Sequence, residues 1–118
     1  MANPNLKNLS TVFAKTSTLS LTTSATAILQ NPAASGKVLK VSSIVVSNQS
    51  TEPQTYTLDF FRESTATPIA PDFSVSAYSA STPLFRDVVV YLEEGDSLRL
   101  TASANSALEA VCSYEELS

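Results

Sequence analysis

Histidine and tryptophan are absent from this chain of 118 residues, cysteine occurs once and glycine twice. Each scarcity closes a class of chemistry. Without histidine there is no side chain whose ordinary pKa lies near neutrality, so His-dependent triads and imidazole metal ligands are excluded. With Cys112 alone, neither an intrachain disulfide nor a cysteine-rich zinc site can form. With Gly36 and Gly95 as the only glycines, no glycine-rich phosphate loop can be built, which sets nucleotide enzymes aside. Charge is sparse as well, at 15% of residues with a net charge of −4. The cations Lys7, Lys15, Lys37, Lys40, Arg62, Arg86 and Arg99 are scattered, whereas binding a phosphate backbone draws on clustered ones. Nucleic acid is therefore not an expected partner. No apolar run approaches the roughly 20 residues of a membrane helix. Met1-Ala2-Asn3-Pro4-Asn5 has none of the basic-then-apolar pattern of a signal peptide. The expectation is a soluble chain made in the cytosol, with no membrane partner.

What is present is 43% hydrophobic residues, with Ser and Thr making up about a quarter of the chain. β-Branched and small polar residues suit strands with one wet face. The length suits one domain, divided into an irregular arm at residues 1–10 and a β domain at 11–118. Thr11–Lys15, Thr18–Thr22 and Ala25–Leu29 are candidate strands, followed by a breaking loop at Asn31–Gly36. Between Lys37 and Ser47 the apolar phase changes from Leu39 and Val41 to Ile44 and Val46, which predicts a bulge near Ser42-Ser43. Tyr56, Leu58 and Phe60 alternate with polar residues in a further strand. Glu63–Pro71, with Pro68 and Pro71, reads as a long surface loop. Phe73–Ala77 resumes the β pattern before a turn at Ser79–Pro83.

The C-terminal third is the most regular. Val88–Leu92 is a β-branched and aromatic run, Glu93-Glu94-Gly95-Asp96 a turn in which Gly95 takes positive φ, and Asp96–Ser103 an alternating strand. An antiparallel hairpin is predicted here, and Asn105-Ser106 turns the chain into a last strand over Ala107–Tyr114. Seven to nine strands at this spacing predict an all-β fold, a single antiparallel sandwich of jelly-roll or Greek-key type.

The residues with chemical potential have ordinary readings. Carboxylate pairs serve glycosidases, but Asp59 falls on an outward strand face, Glu93, Glu94 and Asp96 crowd a turn, and Glu115 and Glu116 close the chain. All are expected to be solvated. The same turn lacks the alternating acidic spacing of an EF-hand calcium loop. Cys112 shares a strand face with Leu108, Ala110 and Tyr114, the pattern of a core thiol. Tyr56, Phe60, Phe73 and Tyr114 recur at strand period beside aliphatic residues and read as core, whereas Tyr78 and Phe85, near loop ends, are candidates for exposed contacts or for a sugar-stacking platform. The expectation is a chain that is not an enzyme and takes no cofactor or metal.

The segments Lys37–Asn48 and Tyr91–Ala104, with the ending Val111-Cys112-Ser113-Tyr114-Glu115-Glu116, resemble small β-sandwich virion proteins of tailed bacteriophages, particularly those of aquatic and cyanobacterial hosts. The resemblance covers about the C-terminal two-thirds and rests on strand and turn motifs with no catalytic residues. It implies a many-copy component of the virion, synthesised in the host cytoplasm. The first expectation is a capsid decoration or cement protein bound to neighbouring coat subunits, with a neck, collar or tail ring and a carbohydrate-binding fibre module as alternatives. Partners would be capsid, neck or tail proteins and further copies of the chain. Candidate contact residues are Asn3, Pro4, Asn5, Leu6 and Leu9 in the arm, Pro68, Ile69 and Pro71 in the expected middle loop, and Tyr78 and Phe85.

Overall fold

Period-two alternation builds nine strands, and the computed structural model describes them within residues 3–85 and 87–118. They are β1 (Val12–Ser20), β2 (Thr26–Gln30), β3 (Val38–Asn48), β4 (Gln54–Arg62), β5 (Thr65–Val75), β6 (Ala80–Leu84), β7 (Val90–Leu92), β8 (Ser97–Ala102) and β9 (Leu108–Leu117). Met1, Ala2 and Arg86, two in the expected arm and one among the scattered cations, lie outside the described residues. One sheet has the order β1-β9-β3-β6 with β7 also on β3, and the other has β2-β8-β4-β5. Every pairing is antiparallel. The chain crosses repeatedly between the two sheets in a jelly-roll arrangement, within the all-β sandwich of jelly-roll or Greek-key type that the strand spacing predicts.

The inward faces make one core. Val41, Ile44, Val46, Leu92, Ala110 and Cys112 from the first sheet meet Tyr56, Leu58, Leu98 and Leu100 from the second, all buried. Leu108, Ala110 and Cys112 do share the inner face. The phase change in β3 is real, with a register shift between Val41 and Ser43 against β9. Because the bulge reverses which way later side chains point, both Val41 and Ile44 reach the core.

Four expectations are corrected. Thr11–Lys15 and Thr18–Thr22 are one continuous strand, since β1 pairs with β9 without a break from Val12 to Ser20. Glu63–Pro71 is not a loop: Glu63 and Ser64 turn the chain at φ 50 and 64, and Pro68, Ile69 and Pro71 stand in β5. Prolines survive there because β5 is an edge with β4 as its one strand partner among the described residues, and its register shifts near Leu58 let the chain bulge around them. Ser79–Pro83 is mostly strand rather than turn, since β6 begins at Ala80.

The expected hairpin is the largest correction. β7 lies on β3 while β8 lies between β2 and β4, so the Glu93–Asp96 turn carries the chain from one sheet to the other. Asn31 holds that crossing. Its backbone N–H donates to Asp96 O at 2.9 Å, its carbonyl accepts from Gly95 N at 2.8 Å, and its amide donates to Leu92 O at 3.0 Å. The turn itself still closes, Asp96 N–H donating to Glu93 O at 3.0 Å, so Asn31 fastens the crossing to the end of β2.

Candidate interaction surfaces

Asn3 to Ser10 form no strand, and Asn3, Pro4 and Leu6 lie beside Val38 of β3 and Tyr91 of β7. Asn5 folds this arm on itself, its carbonyl accepting from Asn8 N at 2.9 Å and its side chain from Lys7 N at 2.9 Å. Asn3 donates to Glu93 Oε1 at 2.6 Å. Between arm and sheet runs an open groove of about 450 Å³ lined by Asn3, Pro4, Leu6, Val38, Tyr91 and Glu93. Tyr91 is paired with Lys40, two residues from Val38 in β3, so both belong to the outward phase of the first sheet.

The acidic turn beneath this groove is not solvated as expected. Asp96 is 1% exposed and Glu94 is 9%. Asp96 takes a forked pair of hydrogen bonds from Arg62, at 2.8 and 2.6 Å, and a third from Glu93 N at 2.8 Å. Arg62 also reaches Glu93 at 2.6 Å, and its guanidinium pKa is raised, first by the bond to Asp96. Glu94 accepts from Gly36 N at 2.8 Å. This network ties the arm, β4 and the sheet crossing together, and each of its carboxylates accepts internal hydrogen bonds.

At the same end, the first sheet extends an inner face carrying Phe13, Lys15 and Glu116. Phe13 and Glu116 are register partners, as are Lys15 and Tyr114. Glu116 accepts from Lys15 at 2.6 Å and Lys37 at 2.8 Å. The hydrogen bond from Lys15, followed by that from Lys37, holds the Glu116 carboxyl below its ordinary range, and the same contact raises Lys15. The chain end is thus locked, where solvated charge was expected. Asp59 does face outward, but it too is paired, with Arg99 at 3.0 Å. The Arg99 guanidinium lies 3.9 Å from the centre of the Phe61 ring.

The outer face of the first sheet is low in charge. Register across β1, β9 and β3 gives the rows Thr18, Val111, Val45 and Thr16, Ser113, Ser43. Val111 and Val45 are exposed at 43% and 36%. Charge enters this face at Glu109 on one side and at the Lys40 and Glu115 pair, 3.7 Å apart, on the other.

Of the candidate contact residues, Asn3, Pro4 and Leu6 line the arm groove, with Asn5 exposed and Leu9 half-buried beside them. Pro68, Ile69 and Pro71 belong to the opposite sheet, where Ile69 packs on the core. Tyr78 is 73% exposed and Phe85 47%, but they flank the two ends of β6. At about 3.3 Å per residue that separation is roughly 20 Å, too far for one sugar ring to touch both. Phe73, expected in the core, is 47% exposed, its ring edge-on to Tyr56 at 6.0 Å. The sequence expectation did not include Val12 and Phe13, which are exposed, or Val38 and Tyr91, which line the arm groove. The adjacent pair Val12-Phe13 was the available signal, because neighbours in a strand face opposite ways and apolar character on both predicts a strand with two contact faces.

No family model matches the chain, and no curated protein matches it. Among solved structures it is similar to a chain described as Bacillus endospore appendages that form a novel family of disulfide-linked pili. The alignment covers 100% of this chain and 96% of that one, at a TM-score of 0.55 and 12% identity. At that identity the likeness shows the fold alone.

Proposed function

We propose that the chain is a non-catalytic structural subunit of a phage virion, a decoration or cement protein that binds neighbouring coat subunits. The observation that carries this reading is the outer face of the first sheet, where serine, threonine and valine rows lie between sparse, mostly paired charges. A partner covering such a face desolvates little charge. The arm groove adjoins it, so Asn3, Pro4 and Leu6 extend the same contact region. The described charged residues that are most buried, Asp96, Asp59 and Glu94, are engaged in internal bonds, which fits a scaffold. The resemblance to tailed-phage virion proteins supplies the setting. A ring at the neck or tail uses the same surfaces and is the alternative within this class. The Bacillus appendage chain, described as a pilus former, shares the fold and fits a repeating subunit in general. The disulfide linkage of that description has no counterpart in this chain, whose single cysteine is buried.

Mass spectrometry of purified virions, with heads and tails separated, tests the assignment. A copy number near that of the coat protein, in the head fraction, is the expected result. A few copies in the tail fraction select the ring, and absence from both ends the virion reading.

A further inference from the structure

Jelly-roll sheets have edges, and in this chain they differ sharply. β5 carries Pro68, Pro71, a positive φ of 44 at Asp72 and two register shifts. β6 contains Pro83 and β7 is only 3 residues long. β2 is 5 residues long with a shift between Ala27 and Leu29. These are the devices by which sheets keep an edge from recruiting another strand. β1 has none of them. It runs 9 residues without proline or bulge and, among the described residues, pairs only with β9. Its one charge, Lys15, is held by Glu116 at 2.6 Å, so the edge carries a single ion-paired cation rather than a row of free ones.

The geometry points to a second copy of this chain as the occupant of that edge, joined by antiparallel β1 to β1 pairing about a two-fold axis at Thr16. This deepens the structural-subunit reading and rests on it in taking assembly as the work of the chain. The hydrogen-bond phase fixes which groups are offered. Thr11 and Ser118 exchange both backbone bonds, at 2.9 and 3.0 Å, and Leu21 N donates to Leu108 O at 2.9 Å. Odd-numbered residues of β1 therefore bond β9, and Val12, Ala14, Thr16, Thr18 and Ser20 aim N–H and C=O outward.

A self-pairing must set even residues opposite even residues, which leaves few registers. Centring it on Lys15 puts the two ammonium groups directly opposite each other, a repulsive arrangement. Centring it on Ser17 places Lys15 against Leu19 of the second copy and leaves Val12 without a partner in that strand. Centring it on Thr16 uses all of β1: Val12 meets Ser20, Ala14 meets Thr18, and Lys15 meets Ser17. Phe13, 55% exposed on the inner face, then meets Leu19, which packs against the edge of the core. Each narrow pair exchanges two bonds, about ten in all. The pairing consumes both β1 edges, so it closes at a dimer.

Light scattering coupled to size exclusion on the full chain, from about 10 μM to 1 mM, tests this. The mass is expected to rise toward twice 12.5 kDa. Thr16→Pro removes only an outward N–H and leaves the β9 ladder intact, so it is expected to stay monomeric with an unchanged far-UV spectrum. Should that variant misfold, register decides. Thr16→Cys places two thiols at a Cα separation of about 5.5 Å and is expected to oxidise to a covalent dimer. Ala14→Cys, offset from its own copy, is expected not to, and Cys112 is buried in both. A monomer throughout the concentration range, a dimer that folded Thr16→Pro leaves intact, or equal cross-linking at positions 14 and 16 overturns the pairing. A dimeric chain missing from virions ends the virion reading and leaves the pairing standing, while a monomer present on virions does the reverse.

Discussion

Three donors converge on the carboxylate of Asp96, two from Arg62 and one from the Glu93 backbone, and little of that was legible in a run of acids around Gly95. Asp96→Ala leaves the Glu93 N–H and the guanidinium short of an acceptor, and is expected to cost about 2 kcal/mol in urea unfolding. Asp96→Asn, which keeps one acceptor oxygen, is expected to cost less. An unchanged urea midpoint for the alanine variant would show that the network is ornamental. Glu116 gives a pH dependence. Its folded pKa is depressed, first by Lys15 and then by Lys37, so its stabilisation is present above the unfolded carboxyl pKa and is lost as pH falls through the lower folded value. Lys15 is raised, so its share is present below the ordinary lysine pKa and lost as pH climbs through the raised one. Glu116→Gln should flatten the acid limb of stability against pH; an identical limb in both proteins contradicts the assignment. Cys112 was legible from its strand phase. Burial pushes its pKa up to about 12, so thiol reagents at neutral pH should label it only as fast as the domain opens.

Strands were easiest to read where one face is wet and the other packs. In β8, Leu98, Leu100 and Ala102 alternate with Arg99 and Thr101, and the burial follows that alternation. Edge strands misled in both directions. β5 carries prolines that in isolation mark a loop, and β1 has a Thr-Ser centre that looked like a break. The prolines survive because an edge strand needs hydrogen-bond partners on one side only, and Thr16-Ser17 keeps the strand alternation, paired with Ser113 and Cys112 of β9. The β7 to β8 connection misled for another reason: a turn motif specifies reversal, not which sheet receives the next strand. Gly95 takes the positive φ its turn position predicts, standing at φ 89 with nothing near the position a Cβ would occupy. Substitution there meets backbone strain without a clash. Gly95→Ala is expected to lower stability by about 1 kcal/mol, measured by urea midpoint, and a neutral result would mean that the crossing tolerates another backbone path.

At the scale of the molecule, the class and strand number were legible because alternation reports a sandwich, while sheet membership was not, because it depends on contacts far apart in the chain such as those of Asn31 with Leu92 and Asp96. The candidate surfaces are half legible for the same reason. The arm stood out as irregular chain, but the groove it forms with Val38 and Tyr91 exists only once β3 and β7 are paired. The described chain is 48 Å in its longest extent, the arm packs beside Val38 and Tyr91, and core residues such as Ile44, Leu58 and Leu98 are supplied by strands rather than by the arm. Deleting residues 1 to 9 should therefore remove the Asn3 bond to Glu93 and uncover Val38 without dissolving the fold, at a cost of about 1 kcal/mol. Particle occupancy of the deletion protein, measured by quantitative mass spectrometry beside its thermal melt, separates two roles. Low occupancy with a near-normal melt means that the arm makes contacts in the assembly. Normal occupancy assigns those contacts to the serine, threonine and valine rows of the sheet instead, and a lost melt makes the arm part of the folded unit.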